Sequence, residues 1–245
     1  MVDRGGADSR DRRPTTGDRG FRDATVLSPL AARRGQQARR GGSLGSPTIQ
    51  TLVLVLAAVG IVFGAVEVGV TAAAHALGGT VAAGPLLAVW GVGSLAGGVF
   101  AARGGGGARS GRGLTLVVLA LATGHLSLFA ASGTVFGLAA VLFAAGAAIA
   151  PTYATVYSMV DEAAPPGTVT EAFAWLSTAI AAGTAAGAAG AGALVDSAGS
   201  GSTFLLAGAA GAAAVLVTIG RRRTLPGHGA TGAHNPALAA SAATG

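Results

Sequence analysis

The 245-residue chain has no cysteine and no lysine, and charged residues make up only 11% of it. Without cysteine there is no disulfide, no thiolate metal site and no cysteine nucleophile. The shortage of charge excludes more. Apolar residues supply 51% of the chain, and a soluble domain of this length needs more charge to cover its surface. The composition therefore points to lipid as the surrounding medium. Aromatic residues are few, at 5%, so each tryptophan and tyrosine within an apolar stretch is informative.

What charge there is leans basic, with a formal net charge of +6. A basic balance can mean a nucleic-acid partner, so the location of the charge decides more than its sum. All 16 basic residues are arginine: ten lie within residues 1–40, three are Arg103, Arg109 and Arg112, and three are Arg221, Arg222 and Arg223. That grouping is a membrane pattern, and no nucleic-acid partner is expected. Residues 1–48 mix arginine with five aspartates, glycine, proline and serine and show no sustained apolar period, which reads as a disordered basic segment. Their long basic stretch and the late start of apolar sequence do not fit a signal peptide.

Six apolar segments follow, at about 51–74, 81–102, 114–131, 134–160, 169–195 and 202–220. At 1.5 Å rise per residue each is long enough to cross a hydrocarbon core of about 30 Å. Helix is the conformation open to them, because a lipid-exposed strand would leave its backbone groups unpaired. The expected fold class is an all-α integral membrane protein with a six-helix domain over 49–223 and a disordered tail over 224–245. Alternating the segments across the bilayer puts all 16 arginines on one side, and the opposite connections contain none. By the positive-inside rule that side is cytoplasmic, so both termini are expected inside a plasma membrane. Glycines recur at four-residue spacing as Gly60 and Gly64, Gly93 and Gly97, and Gly183 and Gly187, a spacing that lets helix backbones approach closely.

Three stretches carry a family resemblance: FGAVEVGVTA in the first segment, AVWGVGSLAGGVFAAR in the second, and APTYATVYSMVDEAAPPGTVTEAFAWLSTAIAAGTAAGAAGAGALVD across the fourth and fifth. Together, over about residues 49–223, they resemble the C-terminal six-helix half of major facilitator superfamily transporters of the actinobacterial type. The resemblance implies one lobe of a two-lobed protein that rocks about a central site to move a small solute, with proton-coupled efflux the commonest activity. It implies as partners the bilayer, the solute, and a second six-helix half or another copy of the chain. The family's loop motif, a glycine, three residues, then Asp-Arg-x-Gly-Arg, has an echo here: Gly104 at its start, Ala108 in place of the acid, then Arg109, Gly111 and Arg112. A second alignment puts Gly98, Ala102 and Arg103 on the same pattern, again without the acid. Both sets also read simply as positive-inside arginines.

Glu67 is the one carboxylate within an otherwise apolar span, and an ionised acid at a helix centre costs about 2.5 to 3.5 kcal/mol on insertion scales. Counted from Thr51 it stands roughly 24 Å along the first helix, in the outer half of the bilayer. It is the leading candidate for a solute or proton pathway. His125, roughly 16 Å from Leu114, falls near the midplane, where an imidazole can relay protons or simply hydrogen-bond a neighbouring helix. Trp90 is deep in the second segment and either lines a cavity or packs. Tyr153 and Tyr157 share a helix face at four-residue spacing; an interfacial belt accounts for Tyr157 and leaves Tyr153 as a pathway candidate. Pro151 should kink their helix. Asp161 and Glu162 end that helix, where the macrodipole disfavours anions, so an ion pair with Arg103, Arg109 or Arg112 is expected to hold one conformational state closed. Glu171, three residues after Thr168, fits a capping box at the start of the fifth helix.

An enzyme is not expected. No serine lies in a Gly-x-Ser-Gly setting inside a span, the last segment has no histidine to serve as base, and Gly104–Gly107 lacks the lysine and hydroxyl of a nucleotide loop. No cofactor is implied. The alternative to a transporter half is a truncated or accessory membrane subunit without transport activity of its own.

Overall fold

The computed structural model of the protein describes residues 42–77 and 79–227, and every regular element among them is helical. In chain order these are α1 (Pro47–Ala76), α2 (Ala83–Arg103), α3 (Gly111–Ala131), α4 (Val135–Gly146), α5 (Ile149–Ala163), α6 (Val169–Ala198) and α7 (Gly201–Gly220). Short 3₁₀ turns stand at Ser43–Gly45, Thr80–Ala82 and Arg222–Thr224. Because α4 and α5 form one span, six segments are long and apolar enough to cross a membrane. This is the makeup of a multi-pass membrane protein.

Residues 42–48, expected to belong to the disordered segment, are part of the helical unit. Pro47 opens α1 at its first position, where its missing N–H is no loss and its fixed φ suits a helix, and Ser43 and Ile49 are both fully buried. The disorder expected for the preceding residues lies outside the described residues for 1–41. At the other end, residues 224–227 belong to the packed unit. Leu225 is buried and the Gly111 N–H donates to the Pro226 carbonyl at 2.9 Å, so the expected tail boundary moves from 224 to beyond 227. The remainder, 228–245, falls outside the described residues.

The fourth span is broken just before its proline. α4 stops at Gly146 and α5 restarts at Ile149, with Pro151 in the first turn of α5. Proline has no N–H to give the carbonyl four residues earlier and clashes with it; that carbonyl belongs to Ala147, inside the break. Gly97 of α2 lies against it so closely that a methyl group there would stand 2.6 Å from the Ala147 carbonyl carbon.

α1 is the central helix: 56% of its most apolar stretch is buried, against 17% for α2 and for α6. The glycine pairs explain how it is gripped. A Cβ on Gly64 would fall 2.6 Å from the Ala188 backbone nitrogen, and one on Gly187 would fall 2.7 Å from the Ile61 Cα. Gly60 and Gly183 face each other in the same way, so α1 and α6 meet backbone to backbone over two turns. Lipid gives helices no hydrophobic reason to associate, and close van der Waals packing of this kind takes its place. α2 and α4 repeat the arrangement: a Cβ on Gly93 would be 2.9 Å from the Phe143 carbonyl carbon, and one on Gly146 would be 3.2 Å from the Ser94 nitrogen.

Candidate functional site

Glu67, Thr71 and His75 occupy successive turns of α1 and share one face, as four-residue spacing requires. All three are exposed. They form one wall of an open groove of about 830 Å³ whose other wall comes from the end of α6 and the turn after it, with Asp196 and Ser200. Val68, Ala72 and Val195 supply apolar lining. Thr71 spends its hydroxyl on the Glu67 backbone carbonyl, at 2.8 Å. Among the described residues no donor meets the Glu67 carboxylate. Glu67 lies about 14 Å from the C-terminal end of α1 by helix rise, so it is reached from that end of the protein.

The groove therefore gathers two carboxylates and an imidazole from two helices, with no arginine among the described residues that line it. Such a surface can take a proton, or receive a group that carries positive charge or donates hydrogen bonds. Among the described residues no three acidic or imidazole side chains are grouped to hold a metal ion. The acid Asp196 and the histidine at position 75 were not among the sequence candidates. His75 was legible from its spacing to Glu67. Asp196 was not, because 129 residues of chain separate it from Glu67 and only the α1–α6 seam joins them.

Trp90 and His125 lie elsewhere, inside the helices. His125 is fully buried and Trp90 nearly so. The Trp90 indole N–H donates to His125 Nε2 at 3.2 Å, which leaves the proton on Nδ1, and Nδ1 donates to the Leu121 carbonyl at 2.7 Å. Both ring nitrogens are thus occupied, and the pair ties α2 to α3. This geometry favours the hydrogen-bonded packing role for both residues. Phe63 stands edge-on to Trp90, with ring centroids 5.2 Å apart, and continues to Tyr153 at 6.2 Å. Tyr153 meets Tyr157 at 5.6 Å, and Tyr157 meets Phe173 at 5.2 Å. The tyrosines accordingly belong to an aromatic chain through α1, α2, α5 and α6. Tyr153 is half-buried and Tyr157 exposed.

The arginine loops collect at the other end. Arg109 Nε lies 3.7 Å from Glu162 Oε1, both side chains largely exposed, so one of the expected inter-loop pairs is formed. Arg103, Arg112 and Asp161 have no such partner among the described residues. Gly111 begins α3, and Ala108 donates its backbone N–H to Thr155 at 3.1 Å. Gly107 packs directly on the Ala154 backbone.

Glu171 does not close a capping box. Thr168 makes no side-chain cap bond; its hydroxyl turns back to the Pro165 carbonyl at 2.8 Å. Glu171 instead accepts the Ser43 backbone N–H at 3.1 Å. The neighbouring Gly42 has φ +56, and a Cβ there would meet the Glu171 carboxylate at 2.7 Å. The acid therefore holds the start of α1 against the start of α6. A contact between residues 128 apart in sequence outcompetes the local one because it satisfies an otherwise orphaned donor before α1.

Neither a protein-family model, nor a curated protein, nor a solved structure matches the chain.

Proposed function

We propose that the chain is one lobe of a secondary transporter of the major facilitator type, inserted with both termini in the cytoplasm, and that it moves a small solute past the groove at Glu67. The observation that carries this reading is Glu67 itself: a carboxylate in the central, otherwise apolar helix, facing an open groove with no arginine among the described residues that line it. Intramembrane acids mark ion, proton and substrate pathways because their insertion cost must be offset by use. In this scheme Glu67 exchanges a proton in step with solute binding, while Asp196 and His75 set the charge of the groove mouth. The Arg109–Glu162 pair helps to hold the arginine end closed. The arrangement calls for binding and release, not for bond-making chemistry, so the protein is read as a transporter and not an enzyme.

The test is proton-dependent solute flux in vesicles holding the full chain, first alone and then with any six-helix half encoded beside it, using a panel of cationic and neutral solutes. Flux that Glu67→Gln uncouples from the proton gradient is expected. Absence of flux in both arrangements favours an accessory membrane subunit. Flux unaltered by Glu67→Gln removes the acid from coupling.

A further inference from the structure

A second cavity lies at the opposite end from Glu67, between α3 and α7. It measures about 810 Å³, and its lining includes Arg112, Thr115 and Leu116 from α3 and Ile219, Arg222 and Leu225 from α7 and the turn after it. Its position follows from the helix ends. α3 begins at Gly111 and α7 finishes at Gly220, so the two arginines stand where the apolar spans give way to polar sequence. The chain after α7 folds back to close the cavity, through the Gly111 to Pro226 backbone bond and the packing of Leu225 on Gly111. Thr115 donates to Thr218 at 3.2 Å and fixes the seam just below.

The seam does not end there. A further cleft of about 260 Å³ runs along the same two helices, between Leu119, Thr123 and Leu126 on α3 and Gly208, Ala212 and Leu216 on α7. Arg112, Leu116, Leu119, Thr123 and Leu126 are spaced by four, three, four and three residues, so they form one stripe. Ile219, Leu216, Ala212 and Gly208 on α7, with Arg222 in the turn after it, form the matching stripe, running the other way along the chain. From Arg112 to Leu126 the stripe measures roughly 21 Å by helix rise, more than one leaflet's share of a hydrocarbon core of about 30 Å. Leu116 and Leu216 are 66% and 68% exposed, so the stripe faces outward, away from the helix interior.

We infer that this seam is a binding site for an anionic phospholipid, whose headgroup phosphate sits between Arg112 and Arg222 while one acyl chain lies along the cleft towards Leu126. Charge complementarity selects the ligand. Two arginines from different elements converge there, no acid among the described residues lines the cavity, and the start of α3 adds the positive end of its dipole. Residues 228–245 contain no aspartate or glutamate, so that segment brings no acidic side chain to neutralise the pair. A soluble anion would satisfy the arginines alone. A lipid also fills the apolar continuation. The inference needs only that the chain resides in a bilayer, and it stands whether or not the chain transports anything.

The experiment is native mass spectrometry and lipid titration of the purified full chain, with phosphatidylglycerol and phosphatidylcholine of matched acyl chains. One phosphatidylglycerol should be retained per chain in preference to phosphatidylcholine, and millimolar inorganic phosphate should not displace it. The Arg112→Gln/Arg222→Gln pair should weaken phosphatidylglycerol binding roughly 25-fold, the equivalent of about 1 kcal/mol per arginine. Arg103→Gln/Arg223→Gln, which removes equal charge outside the cavity lining, should weaken it clearly less. Ala212→Phe should obstruct the cleft and weaken binding without altering charge. Equal retention of phosphatidylcholine, displacement by phosphate, or equal loss in the two arginine pairs would overturn the site. The first two outcomes are read on the unaltered chain and so hold even where a variant misfolds.

Discussion

The two ends of the helical unit are built differently. At the arginine end, bonds between distant parts of the chain run from element to element: Ser43 to Glu171, Thr48 and Thr51 to Thr224, Ala108 to Thr155, and Gly111 to Pro226. At the Glu67 end, among the described residues, one side-chain bond passes between helices, from Ser202 to the Leu194 carbonyl at 3.2 Å. The connections explain the contrast. The arginine end carries the longest inter-helix loop, between α2 and α3, together with the segments flanking the helical unit, whose backbone groups need partners once they leave a helix. The other end turns more tightly between α3 and α4 and between α6 and α7, so fewer groups are left to bond. One end is therefore laced together and the other is free to hold a groove open.

The strongest test of this two-ended description is its orientation. The natural absence of cysteine makes every introduced thiol the only one in the chain. With an impermeant maleimide added outside intact cells, Gly133→Cys should be labelled and Pro166→Cys should not. Labelling in the reverse order would break the cytoplasmic assignment of the arginine end. The next largest effect is expected at Glu171. Its carboxylate accepts a backbone N–H, and hydrogen bonds to charged groups contribute about 1.5 to 3 kcal/mol, so Glu171→Ala should lower unfolding stability in mixed micelles by about 1.5 kcal/mol and expose the Ser43–Gly45 turn to proteolysis. An unchanged unfolding curve would mean that the lacing is incidental.

At the groove the sign reverses. Glu67→Leu should raise stability by about 1 kcal/mol, a fraction of the midplane cost of an acid because Glu67 lies towards the helix end. A loss of stability of that size instead would show that the carboxylate holds the fold together. The smallest change belongs to Arg109→Ala. Its pair with Glu162 is exposed, and such pairs contribute between about 0 and 1 kcal/mol; a stability change beyond that range would make this pair part of the lacing and not a surface contact. Any gating role it has should show in flux alone.

Much of the architecture could be read in one dimension. The spans fall within a few residues of where apolar length placed them, and the glycine pairs at four-residue spacing are the ones that meet backbone to backbone. Pro151 breaks its helix one turn upstream, where its missing donor acts. The candidate sites were less legible. Glu67 stood out by its chemistry, but its groove depends on Asp196. Trp90 and His125 were each legible as either pathway or packing residues, and the structure joins them as one hydrogen-bonded pair. Glu171 satisfied a local motif perfectly well and used its carboxylate elsewhere.

The division has a physical cause. Span length, residue polarity and the periodicity of small side chains act locally or against the solvent as a whole, so the sequence by itself determined the helices, the makeup of a membrane protein, the side on which arginine collects, and the presence of an unusual acid. Which helix lies beside which is decided by packing between segments far apart in sequence, by more than a hundred residues for α1 and α6. Tertiary structure alone therefore brought Asp196 to Glu67, Ser43 to Glu171, and Arg222 to Arg112 at the head of the α3–α7 seam.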